Sequence, residues 1–211
     1  SLKQTHEPHA ISAWLRQGEL QAKQIDAPDY DAKKLKSNIP HMRKLMVEQP
    51  VDFFEQLQSL CLDAGIVLLF TPKLPKVPLS GSTRWLNNKP LIQLTARYKK
   101  NDSFWFTFFH ELGHILLHGK KYISLENVDF DAADPVKEEE AHQFAIKHTF
   151  TQEQEKEVLE NEIITEQDII DYAEKFNTHP AMIIGRLQHD GHIPYSVGRQ
   201  FMEPIDLNIE N

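Results

Sequence analysis

The sequence predicts an α+β fold, because strand signals and helix signals fall in different parts of the chain. Strand signals are confined to residues 66–70, an apolar run, and to residues 83–86 and 91–94, which flank a turn at 87–90. Beyond residue 100, helical spacing, N-capping residues and glycine stops predominate. We therefore expect a small, mostly antiparallel sheet packed against a central helix and several C-terminal helices.

Six helices are predicted around this sheet. Gly65 and Gly119 allow the left-handed turn that commonly ends a helix, and Asp102 and the Thr165–Asp168 pair are N-capping signals. Residues 27–40 look like an irregular arm, and three prolines make residues 71–81 a loop. The predicted helices cover residues 10–22, 50–64, 103–118, 137–148, a span that begins at Thr165, and 180–188.

Composition limits the function classes. The 211 residues suffice for one domain with a real core or for two small ones, and the net charge of −8 disfavours direct binding to a phosphate backbone. No apolar run approaches the roughly 20 residues of a membrane span. The chain starts at Ser1 with neither an initiator Met nor a signal core, so we expect a preceding segment to be missing. The polar, loosely patterned residues 1–40 are expected to be a connector arm, and residues 41–211 to form the main domain.

Cysteine and histidine usage point to different conclusions. The one cysteine, Cys61, cannot form an internal disulfide and lies in an apolar stretch, which favours a buried structural thiol and a reducing cytoplasm. Eight of the eleven histidines fall between His110 and His192. This clustering directs attention to the second half of the chain.

The strongest chemical signal is His110-Glu111-Leu112-Gly113-His114. On a helix, residues four apart share one face about 6 Å apart, so two imidazoles can bind one zinc ion at ~2.0–2.1 Å. Glu111, turned about 100° from His110, can accept a proton from water on such an ion. Apolar residues at 104–109 and 115–117 predict a buried helix, where these polar groups are costly unless a metal or a cleft satisfies them.

A zinc ion in a catalytic site needs a third protein ligand. His118 continues the same helical stripe, but it lies about 12 Å from His110 along the axis, too far for one ion to bridge. The triplet 138–140 is a better source, although at least one of its glutamates is expected to be a solvated helix start. Glu138 and His142 are four residues apart, so a ligand and its supporting partner can share a face.

These segments together resemble the ImmA/IrrE family of metallopeptidases. Residues 107–109 lead into the HELGH motif, and residues 138–145 resemble the family's second helix, with a first Glu and a closing Phe-Ala. The resemblance implies a zincin-type active-site helix, zinc as the cofactor, His110, His114 and Glu138 as ligands, and Glu111 as the catalytic base. The sequence departs at His142, where the family has Asn or Asp, and Glu140 is the alternative third ligand.

The resemblance extends from about residue 50 to residue 195. Segments 80–86, 104–109 and 185–191 resemble a subgroup in which the domain follows a helix-turn-helix domain in HigA-antitoxin-like regulators. It implies a cytoplasmic zinc endopeptidase that cleaves a helix-turn-helix repressor and so regulates transcription. The missing N-terminal domain, rather than this segment, would bind DNA, and a homodimer is compatible with this type of regulator. By analogy with thermolysin, the strand at 91–94 would be an edge strand that pairs with substrate.

Some assignments stay open. His189, Arg186 and Tyr195 are candidates for stabilising an oxyanion, although Arg186 can instead pair with a carboxylate and His189 can end a helix. The domain could also be a catalytically weak regulatory or dimerisation module of a toxin–antitoxin-type regulator. A third alternative is a structural zinc site, closed by Cys61 or His142 as a fourth ligand.

Overall fold

Eight helices surround a four-stranded sheet in the part of the chain that the structure describes. This computed structural model describes residues 8–95, 100–125, 134–161, 164–205 and 207, so residues 1–7 of the predicted arm lie outside it. The arrangement confirms the predicted α+β class. The elements are α1 (Pro8–Ala22), α2 (Ala32–Glu48), α3 (Phe53–Asp63), β1 (Val67–Phe70), β2 (Gly81–Leu86), β3 (Lys89–Leu94), α4 (Asn101–His118), β4 (Ser124–Leu125), α5 (Pro135–Thr149), α6 (Gln152–Leu159), α7 (Glu166–Phe176) and α8 (Pro180–His189).

The sheet is mixed and small. Its strand order is β1-β3-β2-β4, with β1 parallel to β3 and β2 antiparallel to both of its neighbours. Asn87 and Asn88 both have positive φ, as a two-residue hairpin turn between β2 and β3 requires. Since β3 lies between β1 and β2, the expectation that it is an edge strand for pairing with substrate is wrong.

One face of the sheet carries the main hydrophobic core. Leu68, Ile92 and Leu94 point into it and meet buried residues of α2, α3, α4 and α8. Trp105, Phe108 and Phe109 of α4 are fully buried in this core. Burial of α4 therefore follows from its apolar residues on nearly every side, as the sequence predicts.

Helix α1 covers the opposite face through a buried polar contact. Gln93 of β3 is fully buried, donates to the backbone oxygen of Trp14 at 2.8 Å, and accepts from the Arg84 guanidinium at 2.8 Å. A Cβ at Gly18 would lie 2.1 Å from Gln93 Oε1, so only glycine permits this close approach. Gly18, a weak point in helix propensity, is thus a packing requirement.

Helix α2 corrects the expectation of an irregular arm over residues 27–40. Asp31 caps its start by accepting from the backbone N–H groups of Lys33 and Lys34. Its buried side, formed by Leu35, Ile39, Met42, Leu45 and Met46, belongs to the main core. The helix continues through Pro40, so tertiary packing overrides the local signal of a proline between charged residues.

The other boundaries follow the predictions with few exceptions. The Thr165–Asp168 capping box is present at α7, Gly65 and Gly119 have positive φ, and residues 71–80 are irregular. Asp102 is not the N-cap of α4, because the helix begins at Asn101 with Lys100 as its cap residue. Helix α6 and strand β4 were not predicted. None of the described helices is long and apolar enough to cross a membrane.

His148 of α5 makes an aromatic contact with Phe109 of α4 and another with Phe144 of its own helix. The imidazole of His148 stacks on Phe109 at 5.8 Å and lies 4.4 Å from the ring of Phe144. Burial lowers the pKa of His148 from 6.5 to about 4, and Arg43 and Lys147 lower it further by repulsion. The fold therefore holds a neutral histidine at the interface that aligns α5 with α4.

We expect the Leu35→Ala variant to lose about 2–5 kcal/mol of unfolding free energy, because it removes a fully buried side chain from the core. Chemical denaturation measures this loss. The control Lys36→Ala, at an exposed position of the same helix, should change stability by less than about 0.5 kcal/mol. Equal effects of the two substitutions would show that α2 lies outside the core.

A pH-dependent prediction follows from His148. The unfolded state binds a proton with pKa near 6.5 and the folded state only near 4, so this residue makes stability fall as the pH drops from 6.5 towards 4. At pH 5 the full pKa shift corresponds to a loss of about 2 kcal/mol of unfolding free energy. Because the ring keeps some solvent contact, we expect about half of this loss, about 1 kcal/mol.

The His148→Phe variant should therefore lose about 1 kcal/mol less than the wild type between pH 7 and pH 5. Urea unfolding with a chelator present measures this difference independently of metal binding. His41→Phe, at an exposed position, is the control and should leave the pH dependence as it is. An unchanged pH dependence in His148→Phe would contradict the assignment.

Candidate metal centre

The motif helix α4 and helix α5 approach each other at Gly113. A Cβ at this position would lie 3.1 Å from the Phe144 side chain and 3.2 Å from the Ala141 backbone, closer than ordinary packing allows. Absence of a side chain at Gly113 lets α5 lie directly on the motif. This approach brings Glu138, at the start of α5, next to His110 and His114.

Three potential ligand atoms converge between the two helices. The Nε2 atoms of His110 and His114 are 3.0 Å apart, and Glu138 Oε2 lies 3.2 Å from the first and 3.6 Å from the second. Four ligands in a tetrahedron at ~2.0–2.1 Å from zinc are about 3.3 Å from one another. The three atoms therefore form one face of such a tetrahedron, and the donor set of two imidazoles and a carboxylate fits zinc.

The environment of these groups favours the protonation states that bind a metal. Both histidines are buried, with His114 1 % exposed, and burial lowers the pKa of His114. Burial alone would raise the pKa of Glu138, but hydrogen bonds from His110, His114 and Tyr122 hold it well below its usual range. At neutral pH the site therefore offers an ionised carboxylate and a neutral His114 imidazole, as metal ligation requires.

Tyr122 supports this arrangement and was missed by the sequence analysis. Its hydroxyl donates to Glu138 Oε1 at 2.5 Å, and its ring stacks on His114 at 5.0 Å. Burial raises the pKa of Tyr122, and the Glu138 carboxylate raises it further, so the hydroxyl stays a donor. Tyr122 lies outside any helical repeat, so no spacing relates it to the motif.

Glu111 is fully buried on the same turn of α4, beside the start of strand β2. A Cβ at Gly81 would lie 2.9 Å from Glu111 Oε1, so glycine leaves room for this carboxylate. The hydroxyl of Thr83 donates to the backbone oxygen of Glu111 at 3.1 Å and fixes the helix on the strand. Gly81 lies in segment 80–86, which resembles the family subgroup, but only the structure gives its physical role.

Three other candidates from the sequence, His118, Glu140 and His142, lie outside the trio of ligand atoms. His118 contacts His114 through ring nitrogens 2.9 Å apart, one helical turn beyond the motif. Glu140, the alternative third ligand, pairs with His118 Nε2 at 3.0 Å instead of approaching the ligand atoms. The ring of His142 lies edge-on to Phe106 at 5.2 Å.

A cavity of about 650 Å³ is lined by the three oxyanion candidates, and none of the three potential ligands is part of its lining. Arg186 is held by carboxylates, at 2.7 Å from Asp190 and 3.4 Å from Glu155. His189 also pairs with Asp190, and its side chain is 79 % exposed. These pairs match the alternative in which Arg186 and His189 have structural roles, and their part in catalysis stays a prediction. The lining includes Thr107, His142, Arg186, His189 and Tyr195.

This combination of fold and site defines a class. A buried helix with two histidines four residues apart, a glutamate directly after the first of them in sequence and a third donor from the next helix is the arrangement of zinc-dependent peptidases. The sequence model of the M78 peptidase family, described as the IrrE N-terminal-like domain, matches residues 61–188. The chain therefore belongs to this family.

The matched region runs from the last turn of α3 to the end of α8 and includes the whole trio. It confirms the ImmA/IrrE resemblance at the level of the family. A search among curated proteins gave no match. The roles of His110, Glu111, His114 and Glu138 in binding and catalysis stay predictions.

Tyr122→Phe should weaken zinc binding by about tenfold, since it removes the hydrogen bond to Glu138 while keeping the ring against His114. Competition with a chromophoric chelator measures the zinc dissociation constant. Tyr172→Phe is the matched control, because that hydroxyl accepts a hydrogen bond from Asn161 on the surface. Equal zinc affinity in the two variants would contradict a supporting role for Tyr122.

Proposed function

We propose that this domain is a zinc-dependent endopeptidase. The observation that supports it best is the convergence of His110 Nε2, His114 Nε2 and Glu138 Oε2 within 3.0–3.6 Å of one another, next to a buried Glu111. Buried polar groups are costly unless they have partners, and a metal would partner all three ligand atoms at once. Three protein ligands leave a fourth position for water or substrate.

In this proposal the three ligands hold zinc and Glu111 transfers protons during peptide hydrolysis. When bound, zinc would polarise the scissile carbonyl and lower the pKa of a water molecule. Glu111 accepts the proton of the attacking water and transfers it to the leaving amine nitrogen, so one carboxylate serves first as base and then as acid. Gly81 leaves room for the Glu111 carboxylate, and Thr83 fixes the Glu111 backbone on strand β2.

The substrate in this proposal is a helix-turn-helix repressor in the cytoplasm, whose cleavage would switch transcription. The resemblance of segments 80–86 and 185–191 to the HigA-antitoxin-like subgroup supports this choice. The net charge of −8 also suits a DNA-binding partner, because such proteins present basic surfaces. Charge complementarity of this kind speeds encounter between the two proteins.

Glu111→Gln tests the catalytic part of the proposal. This variant should keep one zinc per chain and lose at least about 100-fold in the rate of repressor cleavage, because general base catalysis contributes ~10²–10⁴-fold. Metal analysis and a gel assay on the cognate repressor give the two readouts. Glu139→Gln, which removes a solvent-facing carboxylate that accepts from Gln143, is the control and should keep full activity.

Full activity in Glu111→Gln would refute the proposed role of this residue. A wild-type protein that folds without zinc and leaves every candidate repressor intact would favour the alternative, a regulatory or dimerisation module. His142 is the observation in favour of that alternative, because it stands where the resemblance has Asn or Asp and packs against Phe106.

A further inference from the structure

A chain of hydrogen bonds leads away from the metal centre on the side opposite the ligand atoms. His114 carries its ligand atom at Nε2, and its other ring nitrogen, Nδ1, lies 2.9 Å from Nδ1 of His118. The second nitrogen of His118, Nε2, lies 3.0 Å from Glu140 Oε2. Two ring nitrogens and a carboxylate are thus arranged in sequence behind one candidate ligand.

The proton positions along this chain of hydrogen bonds follow from the single ring proton of each neutral imidazole and from the need for one donor in each bond. A metal on His114 Nε2 uses the lone pair of that atom, so the single ring proton of His114 is on Nδ1. His114 Nδ1 then donates to His118 Nδ1, which must be an unprotonated acceptor. His118 consequently carries its own proton on Nε2 and donates it to Glu140. A proton on His118 Nδ1 would place two donors against each other at 2.9 Å.

We infer that His118 and Glu140 are positioning residues for the metal centre. This inference rests on the proposed zinc site. The two residues lock His114 in the tautomer that presents Nε2 to the metal, and the Glu140 carboxylate polarises both imidazoles so that His114 is a stronger ligand. The pair acts only through His114 and does not touch the ligand atoms of the trio.

The surroundings of His118 match a built contact rather than a chance one. Its side chain is only 2 % exposed, although it is at the last turn of α4. The ring of Tyr122 packs against both imidazoles, at 5.0 Å from His114 and 5.5 Å from His118. A buried imidazole has to find partners for both nitrogens, and this one has them on His114 and Glu140.

The same chain assigns different tasks to the glutamates of the triplet that opens α5. Glu138 is the candidate ligand, and Glu140 holds His118. Glu139 accepts from Gln143 on the solvent side of the helix. The three positions therefore provide a matched pair of substitutions, Glu140→Gln and Glu139→Gln, that make the same chemical change one residue apart.

The test is zinc affinity of the full chain, measured by chelator competition on protein that keeps its wild-type circular dichroism. His118→Phe should weaken binding by ~10–100-fold, and Glu140→Gln, two hydrogen bonds from the metal, by about tenfold. Glu139→Gln should bind as the wild type does. Equal affinity of the Glu140→Gln and Glu139→Gln variants would overturn the inference while leaving the zinc site itself in place.

His118→Asn separates positioning from packing. Its Oδ1 can still accept the proton of His114 Nδ1, but the shorter side chain has no group at the position of histidine Nε2, the atom that contacts Glu140. We expect it to bind zinc more tightly than His118→Phe, and Glu140→Gln to have no further effect in this background. Additive effects of the two substitutions would contradict a hydrogen-bonded relay from His114 through His118 to Glu140.

Nitrogen NMR of the zinc-loaded protein gives an independent readout. The relay requires the Nδ1–H tautomer of His114 and the Nε2–H tautomer of His118. Detection of a proton on Nδ1 of His118 would overturn it. The proposed zinc site itself would be overturned, together with the relay, if the wild type failed to bind zinc or if His110→Ala still bound it. These outcomes differ from failure of the relay alone, in which the wild type binds zinc.

Discussion

Close packing of α5 on the motif helix at Gly113 is the constraint on which the rest of the centre depends. The motif itself supplies only two imidazoles on one face of α4, and two ligands hold a zinc ion poorly. The third donor, Glu138, reaches them because no side chain separates α4 from Ala141 and Phe144. Stacking of His148 of α5 on Phe109 of α4 is a further contact between the two helices.

Burial makes this centre chemically specific. In water the same side chains would form weak and variable contacts, whereas in the protein interior an unpartnered imidazole or carboxylate is costly. Three hydrogen bonds therefore tie groups of the site to neighbours: Tyr122 to Glu138, His118 to His114, and Thr83 to the backbone of Glu111. Fixed partners of this kind hold ligands near the geometry that a metal requires.

The sequence predicted the parts of the structure that have a local period, and little of what depends on contacts between distant segments. The spacing of His110 and His114 follows from helical geometry, and Glu138 came from the resemblance of its segment to a known family. Tyr122 and Gly81 reach the site from loop and strand positions with no period relative to the motif. Helix α2 was missed because its proline and charges outweigh a buried stripe that only tertiary packing makes visible.

The packed core of this chain extends beyond the matched family region. Residues 61–188 contain every side chain of the candidate centre. The sheet that supports it, however, buries Gln93 on its other face, and α1 supplies the backbone oxygen of Trp14 that Gln93 needs. Helix α2 adds Leu35 and Met42 to the core beneath α4. The candidate ligands therefore lie within the family region, while the core that surrounds them includes helices that precede it.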